Sequence, residues 1–414
     1  MTFSLEDGLA PPGSAAVLFY GPGRLRALPP LTLYAHFPWC ARKCPYCDFN
    51  SREMRGDLDE GAYAAALLDD LAVELPFVWG RRVCAGFFGG GTPGLMSGAT
   101  VDKLLSGFRA LLRWDSGAEF TLEANPGALD ESRFAAFAQA GVNRISLGVQ
   151  SFDDASLRAL GRIHDSLRAR RAIDEALLWF GRVNVDLMYG LPGQTMEMAL
   201  KDARIAASLG LGHLSFYQLT LEPNTAFGLN PPQGMPHPDA IADAESALRD
   251  VLADSGYGRY EISAYARSPS DRCRHNLNYW SFGDYIGIGP GAHGKISSAS
   301  GIERTVRPKG PREWARAVEA AKTGAPEAVA ALRGARPIAG RDMAGEYMMN
   351  ALRLKDGFLK TDFESRTGMS FSSIAQPVRR GEALGLLFDD GARVGATEKG
   401  YDFLNDAIEL FFPG

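Results

Sequence analysis

Cysteine is scarce in this sequence, histidine nearly as scarce, and long apolar runs are missing. Five cysteines in 414 residues, an odd number, do not make the paired framework of a small secreted protein. No stretch approaches the roughly 20 apolar residues that cross a bilayer. The first residues, MTFSLEDGLAPPGSAAVLFYGPG, lack the basic start and apolar middle of a secretory leader. Excess positive charge is missing too. The formal net charge is −5, which argues against nucleic acid as a partner. A cytoplasmic protein is expected. Hydrophobic residues make up 46% and charged residues 22%, ordinary values for a soluble chain, and the length suggests one large domain with a smaller one attached.

What is present is concentrated. Cys40, Cys44 and Cys47 fall within YAHFPWCARKCPYCDFNS (34–51), with C-x3-C-x2-C spacing. Pro38 and Pro45 keep this stretch from continuing as regular structure. Three soft thiolates on one loop suit zinc or an iron–sulfur cluster. A closed zinc site needs four ligands, and His36 on the preceding strand is the nearby candidate for the fourth. A 4Fe-4S cluster held by only three cysteines instead leaves one iron open to a chelating ligand. On that reading the missing fourth cysteine is itself functional.

Around this loop the pattern alternates. The strand candidates TLYAHF, CAGFFGG, EFTLEAN, RISLGVQ, VNVDLMYG and HLSFYQLT are interleaved with helical segments such as EGAYAAALLDDLAVEL and SLRARRAIDEALLWF. This predicts an α/β fold with a parallel sheet curled into a partial (β/α)6 TIM-like barrel. The expected layout is a flexible Pro/Gly-rich arm (1–29), the barrel core (30–225) and an extension (226–334). A winged-helix-like C-terminal domain (335–414) follows, with a hairpin at DDGARV, read as a packing or lid module. The strand RYEISAYA is expected within the extension.

Polar residues recur where the predicted strands end. Gly89, Gly90 and Gly91 with Thr92 close the second, Glu123 the third and Gln150 the fourth; Arg162 follows, and Asp186 lies late in the fifth. Each alone is an ordinary surface or structural residue. Together they gather at one barrel mouth, where such folds build their sites.

The three-cysteine motif, with Tyr46 before its last cysteine, resembles the radical S-adenosylmethionine (SAM) superfamily. The motifs GGGTPGLM, TLEANP, LGVQSF, LGRIHD and VNVDLMYGLP resemble its coproporphyrinogen-oxidase-like branch. The resemblance implies a 4Fe-4S cluster on Cys40, Cys44 and Cys47. It also implies one or two SAM molecules contacted by Tyr34, Gly90, Gly91, Thr92, Glu123, Gln150, Arg162 and Asp186. Within the branch, CRHNLNYWSFGDYIGIGPGAHG (273–294) resembles the HemW-type haem chaperones, with an H-N-x-x-Y motif at His275, Asn276 and Tyr279. Haem becomes an expected ligand, with His275 as candidate axial ligand and Tyr279 and Trp280 beside the macrocycle. Cys273 and His293 are lesser candidates. Haem-acceptor proteins, some of them membrane-associated, become expected partners of a monomer or homodimer. The oxidase of porphyrin biosynthesis carries a further cysteine where this chain has Phe49, and a longer N-terminal arm. Both departures count against oxidative decarboxylation. Porphyrinogen oxidase or methyltransferase activity stays as the alternative.

Overall fold

Six parallel strands carry the site, and their order in the sheet is their order in the chain: β1 (Leu31–Phe37), β2 (Arg82–Gly90), β3 (Arg113–Ala124), β4 (Arg144–Gln150), β5 (Val183–Tyr189) and β6 (His213–Gln218). The structure is a computed structural model and describes Leu25, 27–128 and 131–412. Most of the expected arm, 1–29, therefore lies outside the described residues. β1 and β5 are buried at all but one position, as expected of parallel strands covered on both faces.

The intervening helices pack on the outside of this sheet. Their starts follow from capping side chains. Asp59, Ser97, Asp165 and Thr195 each accept a hydrogen bond from a backbone N–H in the first turn of the helix they precede. Helix and sheet faces share one apolar core, with Leu67, Leu71, Leu104, Phe108, Ile173 and Ala203 against Leu33, Phe88, Leu122, Leu147 and Val185.

The extension lengthens the sheet rather than closing it. Strand Asp284–Ile288 adds parallel to β1 and is followed by an antiparallel hairpin, His293–Ser298 with Gly301–Val306. On the other edge RYEISAYA is not one strand. It splits into Gly258–Arg259 and Ala264–Ala266, which pair antiparallel. Glu261 causes the break: its side chain accepts from Ser263 N–H at 2.9 Å and pairs with Arg353, so the chain turns there. The H-N-x-x-Y motif lies on helix Arg274–Trp280. This helix seats at the N-terminal end of the strands. Arg274 N–H donates to Glu119, and the Asn278 amide donates to Thr32 and to the Asp284 carbonyl.

A second core belongs to the C-terminal module. A three-stranded sheet of Phe358–Leu359, Arg393–Ala396 and Leu387–Asp389 packs with helices Met343–Ala351, Lys360–Thr367 and Ala375–Ala383 around Tyr347, Phe363, Val378 and Val394. Phe282, just after helix Arg274–Trp280, is part of this core. Among the described residues, no helix is long and apolar enough to cross a membrane.

Candidate functional site

The cysteine loop leaves β1 and is pinned along its length. Trp39–Cys40 pairs with Arg52–Glu53, so the loop's two ends meet in a short ladder. Asn50 donates to the carbonyls of Pro290 and Lys309 at 2.9 and 3.0 Å. The ring of His36 is fully engaged. Its Nε2–H donates to the Asn50 carbonyl at 3.0 Å, and its Nδ1 accepts from the Tyr34 hydroxyl at 3.1 Å. His36 is therefore not free to complete a zinc site. Among the described residues, no three His, Cys, Asp or Glu side chains are disposed to hold a single metal ion.

Glycine brings β2 against this loop. A Cβ on Gly90, at φ +111°, would meet the His36 ring at 2.5 Å, and one on Gly91 would meet the Trp39 carbonyl at 2.4 Å. Gly91 N–H instead donates to the Phe37 carbonyl at 2.6 Å, and Thr92 N–H to the Trp39 carbonyl at 2.8 Å. The hydroxyls of Thr92 and Ser51 reach the Cys40 thiol, whose pKa is pushed up by burial and pulled back by those two contacts. Arg162 donates to Cys44 Sγ at 3.3 Å and to the Gly148 carbonyl at 2.6 Å, while its buried Nε has no partner.

A cavity of about 350 Å³ opens above the barrel. Cys40, Cys44, Cys47, Gly90, Gly91, Thr92, Glu123, Gln150, Arg162 and Asp186 all line it. Gln150 holds φ +71°, unusual for a residue with a side chain, beside an irregularity in the pairing of β4 with β5. The cavity floor is acidic. Burial first, and then the charge of Asp186, push the Glu123 carboxyl up to about 8, opposed by the Gly90 N–H and Arg144. Burial also raises Asp186, whose two oxygens accept from Ser146 and Asn184 at 2.9 and 2.8 Å.

Five predicted residues lie away from this lining. Tyr34 sits below it, its ring stacked 6.0 Å from His275 and its hydroxyl given to His36. His275 is 7% exposed, packed 5.0 Å from the Phe87 ring, and burial pushes its imidazole down to about 3. Tyr279, one turn further along the same helix, is half-buried against Trp280 and Tyr285. Cys273 is fully buried and its thiol is pushed up to about 12, so it is not a thiolate. His293 is exposed. The sequence reading missed Arg42, Ser146, Tyr217 and Glu222, which also line the cavity. Period-two alternation was the available signal: His213, Ser215 and Tyr217 share one face of β6, as Ser146, Gly148 and Gln150 share one face of β4.

Comparison with known proteins bears on the family and the fold. The Radical SAM superfamily model matches residues 34–206, and the HemN C-terminal domain model matches 338–403. The chain is 44% identical over 386 residues to the heme chaperone HemW of Escherichia coli, covering 93% of this chain and 98% of that protein. It is 40% identical over 390 residues to heme chaperone HemW of Haemophilus influenzae, at 93% and 98% coverage. Among solved structures, coproporphyrinogen III oxidase (HemN) from Escherichia coli superposes with a TM-score of 0.77 at 22% identity, over 93% of this chain and 90% of that one. That likeness establishes the radical SAM α/β fold with its C-terminal domain.

Proposed function

This chain belongs to the HemW family of the radical SAM superfamily, and from that premise we propose that it is a haem chaperone. It binds a 4Fe-4S cluster, SAM and haem, and hands haem to acceptor proteins. One observation supports the first two ligands best. Three cysteines without a fourth open onto the cavity that Glu123, Gln150, Arg162 and Asp186 line.

The residues fit the cluster: three soft donors, hydroxyls on Cys40, and a guanidinium hydrogen-bonded to Cys44. When bound, the cluster supplies an electron and an open iron position for the amino acid end of SAM. The chain's own groups do the rest. Gly90 and Gly91 let backbone approach the ligand, and Gln150 and Arg162 border it. The two floor carboxyls offer acceptors for ribose hydroxyls and charge for a sulfonium. Tyr34 acts through its hydroxyl, which orients His36 and thereby the cysteine loop.

For haem, the candidate ligand is His275, a neutral imidazole because burial depresses its pKa to about 3. At 7% exposure the seated ring leaves no face for a macrocycle, so ligation requires helix Arg274–Trp280 to lift and bring Tyr279 and Trp280 with it. The test is haem titration of cluster-loaded protein against His275→Ala. Stoichiometric binding by wild type, and binding about tenfold weaker or worse in the variant, are expected. Sustained anaerobic conversion of coproporphyrinogen III to protoporphyrinogen would overturn the chaperone reading in favour of an enzyme.

A further inference from the structure

Beneath the cavity the barrel interior is polar where apolar packing is the rule. Strand register sets Ser146 opposite Asn184, Asn184 opposite His213, and Asp186 opposite Ser215. Ser146, Asn184, His213 and Ser215 are all buried. Their hydrogen bonds form a connected pattern. Asn184 Nδ2 donates to Asp186 Oδ1 at 2.8 Å and to Ser146 Oγ at 2.7 Å, so both amide hydrogens are engaged. Ser146 Oγ in turn donates to Asp186 Oδ2 at 2.9 Å.

The amide oxygen faces the other way. Asn184 Oδ1 accepts from Ser215 Oγ at 3.1 Å and lies 2.6 Å from His213 Nδ1. With an oxygen on that side, Nδ1 must carry the proton. Nε2 is then bare and accepts from the Tyr260 hydroxyl at 2.8 Å. The Tyr260 oxygen accepts from Cys273 N–H at 3.3 Å, which ties the chain to the start of helix Arg274–Trp280. A flipped Asn184 amide would press its oxygen on the Asp186 carboxylate at the same 2.8 Å.

We propose that His213 is a positioning residue for the cavity. Held as its Nδ1–H tautomer by Tyr260, it fixes the Asn184 amide and so holds both oxygens of Asp186 in place beneath the cavity. The proposal rests on the cavity being the SAM site. Burial, reinforced by Arg144 and Arg182, pushes the His213 imidazole well below its ordinary range and keeps it neutral. An unmade hydrogen bond in such a site carries a large penalty, so the pattern is strongly enforced.

Two measurements test it. The first needs no ligand: imidazole 15N shifts of the histidine-labelled full chain. They should show His213 as the neutral Nδ1–H tautomer, giving way to a tautomer mixture in Tyr260→Phe. An Nε2–H tautomer in wild type would overturn the assignment. The second is SAM binding to cluster-loaded variants. His213→Phe removes the N–H and should weaken binding about tenfold, whereas His213→Asn restores an amide N–H at the Nδ1 position and should recover binding to within about threefold. Equal losses that simply track thermal stability would mean a merely structural histidine and would overturn the proposal. Wild type that fails to bind SAM would overturn the cavity reading instead, and the tautomer result would still decide the role of His213.

Discussion

Glu123 and Asp186 show how single residues prepare a site for positive charge. Glu123, raised to about 8, keeps its proton at neutral pH while the cavity holds no cation. A sulfonium or other cation favours the carboxylate, so binding below about pH 8 must expel that proton. SAM affinity should therefore rise with pH, by up to about tenfold per unit, and Glu123→Gln should remove that share of the dependence. Calorimetry in two buffers of different ionisation enthalpy reads the released proton directly. The same shift has a stability sign. The raised carboxyl favours the fold below its unfolded pKa, and that contribution is lost as pH climbs through about 8. Glu123→Gln should then raise the melting temperature of ligand-free protein at pH 8. At this scale the cysteines were legible, because their spacing leaves few chemistries. Ser146, Asn184 and His213 were not, because their partnership arises only when neighbouring strands set them in register.

Among elements, the decisive contact is between the end of β2 and the cysteine loop. Gly91→Ala would drive a methyl into the Trp39 carbonyl, which backbone cannot easily yield. A loss of about 2–4 kcal/mol in urea unfolding is expected, with failure to retain the cluster. His36→Phe makes a milder change. It deletes the bond to the Asn50 carbonyl and leaves the Tyr34 hydroxyl unpaired, a cost of about 1–3 kcal/mol. The fold should survive while iron leaves faster under a chelator, and an unchanged release rate would show that His36 does not anchor the loop. The six core strands were readable from short β-rich runs between helical segments. The split of RYEISAYA was not, since it depends on Glu261 meeting Arg353 from a distant helix end.

At the scale of the whole molecule, the two proposed ligand regions sit at opposite ends of the barrel. The cysteines open at the C-terminal mouth, and His275 is seated at the other end. The C-terminal module grips that second end. Arg353 lies 4.1 Å over the Trp280 ring, Phe282 packs 5.2 Å from Tyr347, and Arg366 donates to the Ser281 carbonyl. Haem binding through His275 should thus raise hydrogen exchange both in helix Arg274–Trp280 and in Met343–Ala351. Protection that stays unchanged in both would place haem elsewhere. The barrel class and the added C-terminal module were visible in the sequence. The docking of that module on the motif helix was not, because single aromatic and arginine contacts leave no periodic trace.

The most direct measurement is electron paramagnetic resonance of the reduced, oxygen-free protein with and without SAM. An iron–sulfur signal that shifts when SAM is added, and vanishes in Cys44→Ala, is the predicted result. Bound zinc without iron, or a cluster signal indifferent to SAM, would contradict the account.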